Sequence, residues 1–214
     1  TVGGIILAYA NLTPTASVRA RGYADPSDTP GVDTALFDTG VVLACPASAG
    51  GGVNSYSYGG GTIGRVWLET QVSVKKVYVE LVDTDNTEAI ECGRFIVGGY
   101  FQPTKNADYG ASAKPVDTSK KSRNGAGDLV VDRAPRYSTL SFSLSKMSDG
   151  DAASMWDILW GNGVTLPVFV SLKPNDASPA NEQRHQLWGS LVTLPAMALP
   201  SFNITTASLE IEGI

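Results

Sequence analysis

Short runs rich in Val, Ile, Thr, Tyr and Phe recur along the chain, each bounded by Gly, Pro, Asn or Asp. That is the patterning of strands separated by turns. Strands are expected over residues 4–10, 16–21, 40–45, 64–69, 74–83, 90–98, 137–145, 166–172, 185–194 and 202–212. In the last of these, Phe202, Ile204, Thr206, Ser208, Glu210 and Glu212 share one face and Leu209 and Ile211 the other, so uneven burial is expected. Residues 74–98 read as a local antiparallel hairpin. Lys76, Tyr78, Glu80 and Val82 alternate with Val77, Val79 and Leu81, and a polar turn follows at 83–87. The return strand sets Ile90, Cys92, Arg94 and Ile96 against Glu91, Phe95 and Val97.

A helical period stands out once. Ser148 and Asp151 make a capping box, and Ala152, Met155, Trp156 and Leu159 then fall at i, i+3, i+4 and i+7, before Gly161 and Gly163. A helix over 149–160 is expected, with Met155, Trp156 and Leu159 against a sheet. Residues 25–38, 47–61 and 103–136 carry no such period. The second holds Tyr56 and Tyr58 between two glycine triplets. The third contains Pro115, Pro135, Gly110, Gly125 and Gly127, with hardly an apolar residue before Leu129. A loop of that length inside a compact domain usually has a task. It is expected to be an arm that orders against a neighbouring subunit, with Lys105, Tyr109, Lys120, Lys121, Arg123, Arg133 and Arg136 as its candidate contacts. The predicted organisation is mostly β. A jelly-roll-like β-sandwich spans 1–102, the polar arm or linker 103–136, and a second β unit with the helix 137–214.

Composition adds limits. The chain of 214 residues is 43% hydrophobic, enough to build a core. It is only 17% charged, where about 25% is usual, which suits a surface that packs against something. Sixteen basic and 21 acidic residues give a net charge of −5, and the one basic cluster is Lys120, Lys121 and Arg123. Groove binding needs a broad basic surface, so nucleic-acid recognition is not expected. Without a run of 18 apolar residues, or a basic region ahead of 4–8, neither membrane insertion nor secretion is expected. Thr1-Val2 is what removal of an initiator Met leaves, which fits the cytosolic synthesis expected here; parity allows one disulfide between Cys45 and Cys92, but two free thiols buried in strands are expected.

Candidate chemistry is sparse. A Ser-His-Asp or Cys-His mechanism would have to recruit His185, the single histidine, and no G-x-S-x-G elbow accompanies it. No glycine-rich loop follows a strand and opens a helix, and none has the P-loop spacing. Two cysteines and one histidine cannot complete a four-ligand zinc site of the usual type. Glu80, Glu88, Glu91, Glu210 and Glu212 could pair as in glycosidases, but 21 acidic residues supply such pairs by chance. Asp83, Asp85 and Thr87 begin like a calcium loop, yet its sixth position is Glu88 and its twelfth Arg94, so an Asx-type turn is expected instead. No enzyme activity, metal or cofactor is expected. The competing class is a carbohydrate-binding or receptor-binding sandwich. Trp67, Trp156, Trp160 and Trp188 fall beside apolar residues and read as core, which leaves Tyr56, Tyr58 and Tyr109 as platforms.

From Val77 onward the order of motifs resembles siphophage tail-tip structural proteins of the distal tail protein type. It begins with Val77-Tyr78-Val79-Glu80, Asp83 to Asn86 and the return strand Glu91-Cys92-Gly93-Arg94-Phe95-Ile96-Val97-Gly98. The polar arm, Asp132-Arg133-Ala134-Pro135-Arg136 and Leu140-Ser141-Phe142-Ser143-Leu144 follow. The capped helix, Pro167-Val168-Phe169-Val170-Ser171-Leu172-Lys173-Pro174 and Leu187-Trp188-Gly189-Ser190-Leu191 complete it. The resemblance covers about two thirds of the chain and carries no catalytic motif. It implies a homo-oligomeric ring, expected to hold six copies, that joins the tail tube protein to baseplate hub and fibre proteins. The implied location is the virion tail tip, after assembly in the host cytoplasm. A ring is a closed set of head-to-tail contacts, so each copy needs two different complementary surfaces, and an arm can supply one by strand addition.

Overall fold

The computed structural model describes residues 1–44 and 62–214. The loop expected over 47–61, with Tyr56 and Tyr58, and Cys45 lie outside the described residues. The fold is mostly β, with several antiparallel sheets and two helices, and it divides into two compact units.

The first unit is built around β1 (Val2–Ala10), in which every residue but Tyr9 is buried. A strand apolar on both faces takes a central place, and β1 pairs antiparallel with β5 (Thr62–Val72) on one side and β7 (Cys92–Gly98) on the other. A second sheet centres on β2 (Ser17–Tyr23), which pairs with β6 (Lys76–Val82) and with the short β3 (Phe37–Asp38) and β4 (Val42–Leu43). The two sheets enclose one core of Ile5, Leu7, Leu12, Val18, Val66 and Leu68, against which Val77, Val79 and Leu81 pack. This is a sandwich.

The local hairpin expected over 74–98 is not formed. β6 pairs with β2 and β7 with β1, so the chain crosses from one sheet to the other between them. The residues read as a self-contained turn are drawn to the β1–β2 connection instead. Asp83 accepts hydrogen bonds from the Thr13 amide at 2.8 Å and the Thr13 hydroxyl at 2.5 Å, and Asp85 accepts from the Thr15 hydroxyl at 2.6 Å. Asn11 Oδ1 accepts from the Glu91 amide at 2.7 Å, and Asn11 Nδ2 donates to the Ala89 carbonyl at 2.8 Å. Contacts about 70 to 80 residues apart in sequence override the local turn signal.

Ala177–Gln183 also belongs to this unit. Within α2 (Pro179–Arg184), Gln183 binds Ile63 as a partner strand would. Its Nε2 donates to the Ile63 carbonyl at 2.7 Å, and its Oε1 accepts from the Ile63 amide at 3.2 Å. Beside it, Arg65 donates to both carboxylate oxygens of Glu182 at 2.7 Å.

The second unit holds one large sheet. Long central strands β11 (Arg136–Met147) and β15 (Ile204–Gly213) pair with each other; β13 (Gln186–Leu191) and then β12 (Val168–Ser171) extend the β15 side, and β8 (Ser112–Asp117) pairs β11. The short β14 (Ala198–Ser201) also pairs β15. Thr205, Ala207, Leu209 and Ile211 are buried while Ser208, Glu210 and Glu212 are exposed, the uneven burial expected of this strand. Phe202 and Asn203 form the preceding turn, with Asn203 at φ 57°, so the strand starts later than the sequence suggests. At Gly189 a Cβ would strike the Glu212 carbonyl, so only glycine allows the approach of β13 to β15.

The helix α1 (Asp149–Asn162) has both halves of its capping box, the Asp151 amide donating to Ser148 Oγ at 3.2 Å and the Ser148 amide to Asp151 Oδ2 at 3.3 Å. Met155 and Leu159 join Leu140, Leu144, Met147, Leu187 and Leu209 in the core. Trp156 does not point inward: it is 55% exposed and Trp160 is 80% exposed. Successive residues turn by about 100° on a helix, so once Met155 and Leu159 define the inward line, Trp156 and Trp160 form a second line beside it.

Candidate functional site

Residues 103–136, expected as a loop-like arm, contain three strands. β8 is the outer strand of the large sheet, and Asp117 at its end meets Arg136 at 3.0 Å. Hydrogen bonds from Ser119 and from Arg136 hold the Asp117 carboxyl down at about 2. Beyond it, β9 (Lys120–Arg123) and β10 (Leu129–Asp132) form a hairpin of their own. Its base is fixed by the Thr118 hydroxyl donating to the Pro135 carbonyl at 2.7 Å and the Ala134 amide donating to Ser119 Oγ at 3.0 Å. Its tip is closed by Asn124, whose Oδ1 accepts from the amides of Ala126 and Asp128 at 3.0 and 2.9 Å, with Gly127 at φ 89°. Arg123 donates to the Gly127 carbonyl at 2.6 Å.

Every residue of β9 and β10 is exposed. The register Leu129–Arg123, Val130–Ser122, Val131–Lys121 and Asp132–Lys120 sorts them by face. Leu129 and Val131 stand with Arg123 and Lys121; Val130 and Asp132 stand with Ser122 and Lys120. An isolated two-stranded hairpin is marginal in water, and three exposed aliphatic residues on one short strand add to its cost. The geometry can do one thing well, which is to add a strand or an apolar face to another surface.

Of the other arm candidates, Lys105 lies in an exposed bend, Tyr109 is fully exposed before β8, and Arg133 is exposed at the hairpin base. The structure thus groups Lys120, Lys121 and Arg123, places Arg133 and Arg136 near their root, and leaves Lys105 and Tyr109 on the approach to β8. Sequence reasoning missed Leu129, Val130 and Val131 as contact residues. The available signal was Asn124-Gly125, a turn dipeptide flanked by potential strands.

Other candidate chemistry does not assemble. His185 is half-buried ahead of β13, where its carbonyl accepts from the Leu172 amide at 2.9 Å. Asp83 and Asp85 are engaged by Thr13 and Thr15. Cys92 is a free thiol in β7, exposed rather than buried as expected. Among the described residues no group of three or more His, Cys, Asp or Glu is placed to hold a metal ion, and no helix is long and apolar enough to cross a membrane. One aromatic platform was misplaced from sequence. Trp156 and Trp160, expected in the core, stack in the open with ring centroids 6.3 Å apart and planes at 14°. Trp67 is half-buried with its ring edge-on to Tyr100 at 5.8 Å. Comparison with protein families, curated proteins and solved structures finds no match.

Proposed function

We propose that this chain is a non-catalytic assembly subunit, a ring-forming component of a siphophage tail tip that joins the tail tube to the baseplate hub and fibres. The observation that carries the assembly reading is the β9–β10 hairpin, braced at base and tip yet exposed along its whole length. Ordering such an element costs conformational entropy that burial within the chain does not return, and a second surface would return it. The order of motifs from Val77 onward supports the tail-tip assignment. The exposed pair Trp156 and Trp160 favours a second reading, a module that stacks sugar rings on indole faces.

One measurement separates the two. Purified protein is sized by mass photometry, beside a variant in which residues 120–132 are replaced by Asn-Gly. This excision spares β8 and the large sheet. Assembly predicts closed oligomers for the first and folded monomers for the second. A monomeric wild-type chain whose indole fluorescence is quenched by sugars would reject assembly in favour of the sugar-binding module. Closed oligomers from the excised variant would remove the hairpin from the interface.

A further inference from the structure

We infer that the hairpin of one copy docks on the β7 edge of the first unit of the next copy, a deepening that rests on the assembly reading above. β7 pairs with β1 alone, so its other edge is open among the described residues. The register sets Val97 beside Ile5 and Phe95 beside Leu7, on the face that β1 turns toward the sandwich core. Ile5 and Leu7 are buried in that core, but Phe95 is 54% exposed and Val97 is exposed too. No residue of β7 belongs to that core or packs against it, so the apolar row continues from the core into solvent.

The hairpin has the complementary form. Added along β7, β10 would carry Leu129 and Val131 on one face, extending the row from Ile5 to Val97 and from Leu7 to Phe95. The charges agree on the occupant. Residues 103–136 hold seven basic and four acidic side chains, whereas the rest of the chain holds nine basic and 17 acidic. The stretch 83–91, which runs from β6 to β7, has four acidic residues and no basic one. Lys121 and Arg123, on the same face as Leu129 and Val131, would meet that acidic stretch across the new strand. A second copy of this chain therefore supplies both the apolar match and the opposite charge. Donor and acceptor are different surfaces, so each copy uses one of each and the contacts run head to tail.

The test is a mixing experiment with full-length chains. Phe95→Asp spoils the acceptor and Val131→Asp the donor; both sites are exposed, and wild-type thermal unfolding confirms folding. Val97→Lys reads the same acceptor should Phe95→Asp unfold. Each variant alone should be monomeric at concentrations about tenfold above those at which wild type is assembled. Mixed in equal amounts, they should form a dimer of one copy each and no ring, because the pair retains a single intact interface. Glu88→Lys should restore assembly to Lys121→Glu. Rings from a folded Phe95→Asp or Val97→Lys variant would place the acceptor elsewhere and leave the assembly reading standing. A wild-type chain that stays monomeric at every concentration would overturn the reading itself and this inference with it.

Discussion

Arg65→Met offers the sharpest check on the first unit. The Glu182 carboxylate is 1% exposed, and its two oxygens each take a 2.7 Å hydrogen bond from Arg65. Removing the guanidinium leaves a buried charge without its partner, which costs about 3 to 5 kcal/mol. For a chain of this size that is a fall in Tm of about 6 to 20 °C. Replacing both partners, Arg65→Met with Glu182→Leu, should recover most of the loss, since apolar groups of similar volume need no compensation. The assay is urea unfolding of the four proteins in the cycle at pH 7. A deficit below about 1 kcal/mol for the single variant, or a double variant no more stable than the single one, would refute the view that this pair anchors Ala177–Gln183.

The helix and the surface ion pairs make two further predictions. Met155→Ala should cost about 2 to 5 kcal/mol because Met155 is in the core. Trp156→Ala, a surface truncation, should stay within about 1 kcal/mol; equal losses by thermal unfolding would mean that the helix is rotated from the position described. Asp117 is held at about 2 by hydrogen bonds from Ser119 and Arg136, and Asp38 at about 2 by the hydrogen bond from Arg19. An unfolded carboxyl titrates near 3.9, so these two contributions are complete above about pH 4 and are lost as the pH falls toward 2. Both groups are exposed, so the effect is small. Asp117→Asn and Asp38→Asn should each flatten the stability profile between pH 4 and 2, and an unchanged slope would contradict the assignment.

Most strands could be read from the sequence because period two needs only nearest neighbours to be visible. β15 and the capping box of α1 are determined within a dozen residues; the box forms where expected and the strand starts two residues late. What could not be read depends on distant partners. The pairing of β6 with β2 rather than β7 is settled by Thr13, Thr15 and Asn11 reaching some 70 to 80 residues along the chain. The short helix α2 has no stripe of its own, and Glu182 and Gln183 would ordinarily signal solvent; only Arg65 and the open edge of β5 make their burial favourable. The helix stripe failed differently. Four apolar positions at helical spacing were assumed to face one way, but Met155 and Leu159 alone are buried and Trp156 stays outside. The arm was misread because Lys120-Lys121-Ser122-Arg123 has no apolar alternation, so its strand character comes only from pairing with β10.

The charge on β9 also bears on how a chain with an open apolar edge at β7 and an exposed aliphatic strand at β10 would avoid indiscriminate pairing before assembly. Exposed edges are templates for other strands, and cationic residues along an edge are a common protection. If two hairpins met through β9, Lys120, Lys121 and Arg123 would face their own kind, and like charges directly opposite are destabilising. Joining through β10 would bring the same cations of both copies to one short four-stranded ribbon, whose strands offer only Asp132 of each copy to offset them. Docking on β7 is different, since the residues leading into that strand are the most acidic stretch of the chain. The same lysines therefore oppose self-pairing of hairpins and favour the head-to-tail contact, a difference in affinity built from repulsion as much as attraction. The preference should weaken as salt rises toward 1 M, where the screening length is about 3 Å and only the apolar match of Leu129 and Val131 with Phe95 and Val97 remains to choose the partner.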